Sequence, residues 1–168
     1  MCLSGRMNVS IPEMKAFKVF ARNEKGLLHS VFVPTFKPGL KYPANERIRV
    51  DTEEANFFAF GEFKHAVSVA RAGRRTFNMV KGDLIVLPVT LHEVVMSGTY
   101  YVPSGDPQCM DGHYPAFESK EIFVHDTPEA RKQFYDATLS QWFRMAKHSM
   151  SAIERESVLY YMPQLAHA

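Results

Sequence analysis

Cysteine is scarce in this chain: Cys2 and Cys109 are its two thiols. Two cysteines build neither a disulfide framework nor a four-cysteine zinc site, so a reducing, cytoplasmic setting is expected. Long hydrophobic runs are also missing. "LIVLPV" at 84–89 is among the longest, far short of the ~20 residues of a membrane helix, so no membrane partner is expected. Neither sign of charge dominates, since 20 Lys and Arg face 18 Asp and Glu. A net charge of +2 announces no nucleic-acid partner, and any electrostatic argument must rest on where the charges lie. Gly-rich phosphate loops, the dinucleotide fingerprint, the nucleophile elbow and H-E-x-x-H are absent, which removes the common catalytic signatures. Of the seven histidines, one lies near Cys109 at ligand spacing, His113. A lone C-x-x-x-H lacks the further ligands zinc needs, so neither metal nor other cofactor is expected.

What is present is a globular composition, 46% hydrophobic and 23% charged over 168 residues, enough for one domain with a true core. Residues 1–13 carry one Arg and no apolar stretch of signal-peptide length, and are expected to form a loose leader. The domain is expected to span 14–168, with its sheet in 15–125 and its C-terminal helix over 128–160. "KAFKVFAR", "NEKG" and "LLHSVFV" read as a hairpin. Three prolines and a glycine make 34–45 a loop. "ERIRVD" alternates as a half-buried strand, with Ile48 and Val50 on one face.

"NFFAF" leads into a helix over about 61–72, with Phe63, Ala66, Val67 and Ala70 at helical spacing and Gly73 as its stop. "RTFNMV", a "KGD" turn and "LIVLPVTL" read as two further strands, and Pro88 favours an edge or a bulge for the second. Residues 98–115 have no period and read as a long loop. Thr127, Pro128 and Glu129 open the C-terminal helix as cap, first-turn proline and dipole-matched acid. Unbroken to Tyr161 that helix would be roughly 50 Å long. "KHSMSA" at 147–152, with two serines that compete for backbone hydrogen bonds, is its weak point. The expected fold is therefore α+β: an antiparallel-rich sheet, one short helix and a long C-terminal helix.

Alternation in "HYPAFESKEIFVHD" places Phe117, Ser119, Glu121 and Phe123 on one face, and Glu118, Lys120, Ile122 and Val124 on the other. Glu121 then stands between two phenylalanines, either as a carboxylate in an apolar cleft or as a cap on Arg47 or Arg49. His29 shares a face with Leu27, Val31 and Val33. Lys64, Arg71 and Arg75 fall on one helix face with Arg74 close by, a stripe suited to phosphates or an acidic protein surface. Trp142 and Phe143 point about 100° apart, so a wide apolar face buries both or one is an exposed anchor. The tail "VLYYMPQLA", with Tyr160 and Tyr161, packs back on the sheet or meets another chain.

"MKAFKVFARNEKGLLHSVFV", the "FKPG" loop and "FFAF" entering a helix with Ala66 and Ala70 resemble small proteins of phages and their bacterial hosts. The resemblance covers about 14–125. It implies an α+β protein that acts in the host cytoplasm by binding and disabling a host or defence component, as anti-CRISPR proteins do. A fainter likeness is to ADP-ribosyltransferases of the poly-ADP-ribose polymerase class, which place a His on an early strand, an aromatic where a strand enters a helix, and a Glu on a late strand. On that likeness His29, Phe57 or Phe58, and Glu121 would be catalytic and NAD the cofactor, although Phe stands where that family has tyrosine. The expected function is inhibition or modulation of a host protein or an acidic, nucleic-acid-containing complex. Its surface would be Lys64, Arg71, Arg74, Arg75, Trp142, Tyr160 and Tyr161. The alternatives are the transferase and a virion or assembly component that forms homo-oligomers through the C-terminal helix.

Overall fold

The computed structural model describes residues 3–23, 25–31, 41–50, 56–76, 83–102 and 112–168. Among these, the elements in chain order are β1 (Ser4–Arg22), β2 (Leu28–Ser30), β3 (Lys41–Tyr42), β4 (Arg47–Arg49), β5 (Phe57–Phe60) and α1 (Phe63–Thr76). They continue with β6 (Asp83–Val102), β7 (Gly112–Val124), α2 (Pro128–Ala146), α3 (Ala152–Tyr161) and a short 3-10 helix at Pro163–His167. The fold is α+β with an antiparallel sheet. Two compact units divide the chain, Met1–Arg131 and Lys132–Ala168. The sequence expectation draws both into one domain.

In the first unit β6 is the central strand. It pairs with β1 from Asp83 to Thr99 and with β7 from Val89 to Val102. β7 in turn pairs with β5, and β5 returns to β1 at Phe17↔Phe60. The pairings of β1, β6, β7 and β5 thus close a ring. β2 and β3 extend from β1, while β4 lies beside β7 at Arg47–Arg49. Helix α1 packs on β1, β5 and β6, and Phe17 meets its Phe63 edge to face at 5.4 Å. The odd positions of β1 therefore lie under the helix, and the even ones turn toward the rings of Tyr42 and Phe58. Covered on both faces, Lys18 to Ala21 and Leu84 to Leu87 are buried in unbroken runs, as strands in the middle of a layered structure are.

Several expectations are corrected by this pairing. The leader is not loose: β1 starts at Ser4, and Ser4 to Glu13 follow β6 from Thr99 back to His92 through two register shifts. Most of these side chains are exposed, so the segment is held by its backbone ladder, which hydropathy does not register. The long loop is shorter than expected, because β6 runs to Val102 and β7 begins at Gly112; 103–111, with Cys109, lies outside the described residues. Pro88 is not on an edge. It faces Phe17 of β1, and its carbonyl accepts from His125 N (3.0 Å) on the opposite side. The N–H that proline lacks would point past the end of the β7 ladder, so the β1 ladder loses nothing.

Helix α1 runs through Gly73 to Thr76, because burial of Ala66, Val67, Val69 and Ala70 outweighs the ~1 kcal/mol that a helical glycine costs. The long C-terminal helix is in fact two. α2 ends at Ala146 and α3 starts at Ala152, where Ser151 takes the cap that the serine-rich linker makes available. The strand expected over 75–80 is helix at Arg75 and Thr76, and the loop expected over 34–45 holds β3 at Lys41–Tyr42; 32–40 and 77–80 lie outside the described residues.

Leu3, buried at the start of β1, seats against Gly98. A Cβ at Gly98 would lie 2.9 Å from the Leu3 Cβ and 2.9 Å from the Ser4 carbonyl oxygen, so backbone would have to move. Gly98→Ala is expected to lower stability by about 1–3 kcal/mol in urea unfolding. An unchanged midpoint would show that this seat is not closely packed.

Candidate functional site

The most unusual group in the first unit is Lys18. It stands between Ala16 and Phe20 on the even face of β1 and is 2% exposed. Its Nζ donates to the Phe58 carbonyl at 2.6 Å and lies over the rings of Tyr42 (5.5 Å), Phe58 (5.8 Å) and Phe20 (5.9 Å). Burial pushes its pKa down to about 7, while the carbonyl and the ring faces favour the charged form. The same burial pushes the Tyr42 phenol up, against a hydrogen bond with Ser30 that acts the other way. An amine near neutrality suits base or nucleophile chemistry, but this one does not touch solvent. Its position makes it a structural group, because β1 and β5 pair at Phe17↔Phe60 and the Lys18 bond to Phe58 adds a second link across the same seam. A lysine at an alternate position within "KAFKVF" was the sequence signal that could have found it.

Glu121 is a cap on both arginines. Its carboxylate lies 3.3 Å from Arg47 Nε and 3.5 Å from Arg49 Nη1, the cross-strand placement that β4–β7 pairing dictates. Arg49 also reaches Glu93 at 2.6 Å, and Arg47 Nη2 lies 2.8 Å from His92 Nδ1. Glu93 holds a left-handed backbone (φ 54°) inside β6, a conformation of modest cost for a non-glycine residue. The network is half exposed, so solvent screens these pairs. The acid on the apolar face of β7 is Glu118, 8% exposed, which accepts from Arg6 Nη2 (3.1 Å) and Asn56 Nδ2 (3.0 Å).

His29 and Glu121 do not converge on one cleft. Ala21 pairs with both His29 and Leu84, whereas Glu121 pairs with His92. Leu84 and His92 are separated by about 26 Å of extended strand. His29 Nε2 lies 3.1 Å from Asn23 Nδ2, in the turn where Asn23 Oδ1 also accepts from the Lys25 and Leu27 amides. Leu28 is buried, Leu27 is exposed and His29 between Leu28 and Ser30 is half-buried. Phe58 is sealed against Phe60 and Tyr100, with centroids at 5.1 and 5.7 Å, and offers no open stacking face. His29, Phe58 and Glu121 are thus not brought together.

The basic stripe on α1 is weaker than its spacing suggests. Lys64 pairs with Glu62 at 3.2 Å, Arg71 is half-buried, and the side chains of Arg74 and Arg75, like Lys81, lie outside the described residues. Among the described residues most exposed aromatics lie in the second unit, Tyr135, Trp142, Tyr160 and Tyr161 beside Tyr101 of the first. Phe143 is buried and Trp142 is exposed, so the wide apolar face that would cover both is not formed. None of the residues of α3 is buried, and Ile153 and Tyr160 are each 80% exposed, with Tyr161 close behind. Tyr160 and Tyr161 pack edge to face on one another at 5.2 Å. Among the described residues no cluster of His, Cys, Asp and Glu is arranged to hold a metal, and no helix is long and apolar enough to cross a membrane.

The folded chain releases the Lys18 proton near pH 7, while the unfolded chain keeps it to its ordinary 10.5. Relative to Lys18→Met, wild type is expected to gain ~1.4 kcal/mol of stability per pH unit across that interval. Below pH 7 both states carry the proton and the difference is flat; a gap equal at pH 6 and pH 10 would refute the assignment. Glu118→Gln is expected to cost about 1–3 kcal/mol and Glu121→Gln under about 1 kcal/mol in chemical denaturation, because only the first carboxylate is buried. The reverse order would make Glu121 the more deeply engaged acid.

Comparison with protein-family models, with curated proteins and with solved structures finds no match to this chain.

Proposed function

We propose that this chain is a binding protein of the phage type, which inhibits or modulates a host or host-defence protein, and that the helical unit Lys132–Ala168 makes the contact. The observation that carries the reading is α3. An isolated ten-residue helix is marginal in water, and in proteins burial of an apolar face usually supplies the missing stability. Here no residue is buried. Instead Ser151 and Glu154 form a reciprocal capping box, Glu154 N to Ser151 Oγ at 3.2 Å and Ser151 N to Glu154 Oε2 at 2.8 Å, worth about 1 kcal/mol. The helix is thus held by its cap while Ile153, Tyr160 and Tyr161 stay in water.

Tyr and Trp are the side chains that most often anchor protein interfaces. Trp142, Tyr160 and Tyr161 are exposed together in this unit, and each gains about 1.5–3 kcal/mol when a partner buries it. A host protein is the partner that such anchors suit; of the unit's cations, Lys132 pairs with Asp136 at 3.2 Å, and Lys147 Nζ donates to the Ala168 carbonyl.

The test is capture from host-cell lysate by the immobilised chain, with the triple variant Trp142→Ala, Tyr160→Ala, Tyr161→Ala beside wild type. Loss of more than about tenfold of the captured protein, ~1.4 kcal/mol or more, is expected, with Lys64→Ala unaffected. Equal capture by a triple variant whose far-UV dichroism matches wild type would refute the assignment of this surface.

A further inference from the structure

We infer that α3 is a presented helix whose partner is an apolar groove with a basic rim, and that it is not the seam of a homo-oligomer. The inference rests on the binding role proposed above and names the chemistry of the partner. At about 100° per residue, Ile153, Ser157, Tyr160 and Tyr161 share one arc of about a quarter of the helix surface. All four are exposed, and the half-buried Val158 and Leu159 lie on the far side. Ile153 and Tyr160 stand at i and i+7, the outer anchor places by which an amphipathic helix seats in a groove, with Ser157 between them and Tyr161 beside Tyr160.

Both flanks of this arc are acidic. Glu154 borders it on one side, its carboxylate fixed by the capping box, and Glu156 borders it on the other. Among the described residues Glu156 has no ion-pair partner. Arg155 does not neutralise the rim, since it projects from the opposite side and donates to the Lys147 carbonyl at 3.4 Å. A groove that covers Ile153, Tyr160 and Tyr161 therefore meets carboxylates on both of its lips, and lysine or arginine there is the complementary choice.

A second copy of the same helix is the poorer occupant. In a two-fold antiparallel pair the axis passes between Ile153 and Tyr160, which brings Glu156 of one chain against Glu156 of the other. In a parallel pair Glu154 of one helix flanks Glu156 of the next. Either way like charges line the seam.

The experiment uses the full chain and two designed helical-hairpin baits with the same leucine groove, one rimmed by lysine and one by glutamate. Wild type is expected to bind the lysine-rimmed bait about tenfold more tightly than the other, a difference of ~1.4 kcal/mol. Glu156→Lys is expected to erase most of that preference, and Ile153→Ser with Tyr160→Ser to abolish binding to both, with helix content unchanged in each variant. Sedimentation of wild type is expected to show a monomer. Equal binding of the two baits, failure to bind either, or a dimer that Ile153→Ser dissolves would overturn the inference. Should capture from lysate still depend on Trp142, Tyr160 and Tyr161, only the partner's chemistry falls; should it not, the binding surface itself is wrong.

Discussion

The closure between β1 and β5 is the constraint on which the first unit depends. Three of the four seams in the ring are backbone ladders, and two of these run along most of the twenty residues of β6. The fourth has the Phe17↔Phe60 pair and the Lys18 bond to the Phe58 carbonyl. That bond places a positive charge, or a neutral amine with an unusual pKa, in a cage of three aromatic rings. A buried lysine is costly to hold, and its cost is offset by the carbonyl, the ring faces and the seam that it helps to close. Phe20, Tyr42, Phe57, Phe58 and Phe60 are all buried in the strands that meet there or beside them.

The ring also settles what its charged residues do. Glu118 points to the covered side of β7 and is satisfied by Arg6 and Asn56. Three positions on, Glu121 lands on the opposite face and joins Arg47, Arg49, Glu93 and His92 in a solvent-facing network. The two acids have the same chemistry and adjacent places in one strand, yet only one is buried. The second unit is built differently, with a capping box that stands in for burial and leaves its aromatic side chains available to a partner.

Local patterns carried a good part of this structure. The β1–β2 hairpin with Gly26 in its turn (φ 78°), the strand at Arg47–Arg49 and the opening of α2 with Thr127 Oγ1 accepting from Ala130 N at 3.2 Å follow from turn chemistry, alternation and caps. The break after Ala146 fell in the serine-rich stretch where backbone competition was expected. The N-terminal half of β1 and the ends of β6 and β7 were not visible in the same way, since their side chains are largely exposed and what orders them is pairing with distant strands. The exposure of Trp142, Tyr160 and Tyr161 was one of two outcomes that the pattern left open, and Lys18 looked like an ordinary strand lysine.

By itself the sequence determined which residues share a face, where the chain turns and where its helices start, because those are set by steric and hydrogen-bonding preferences within a few residues. It named Arg47 and Arg49 as candidate counter-ions of Glu121 and left an apolar cleft as the alternative; the β4–β7 pairing decided between them. Only the tertiary structure decided which face of each strand is covered, that Lys18 lies inside and Trp142 outside, and that His29 and Glu121 stand far apart along β6. The reason is physical: alternation has a period of two residues and carries no information about distance, whereas burial and juxtaposition depend on which remote strands pair and in what register.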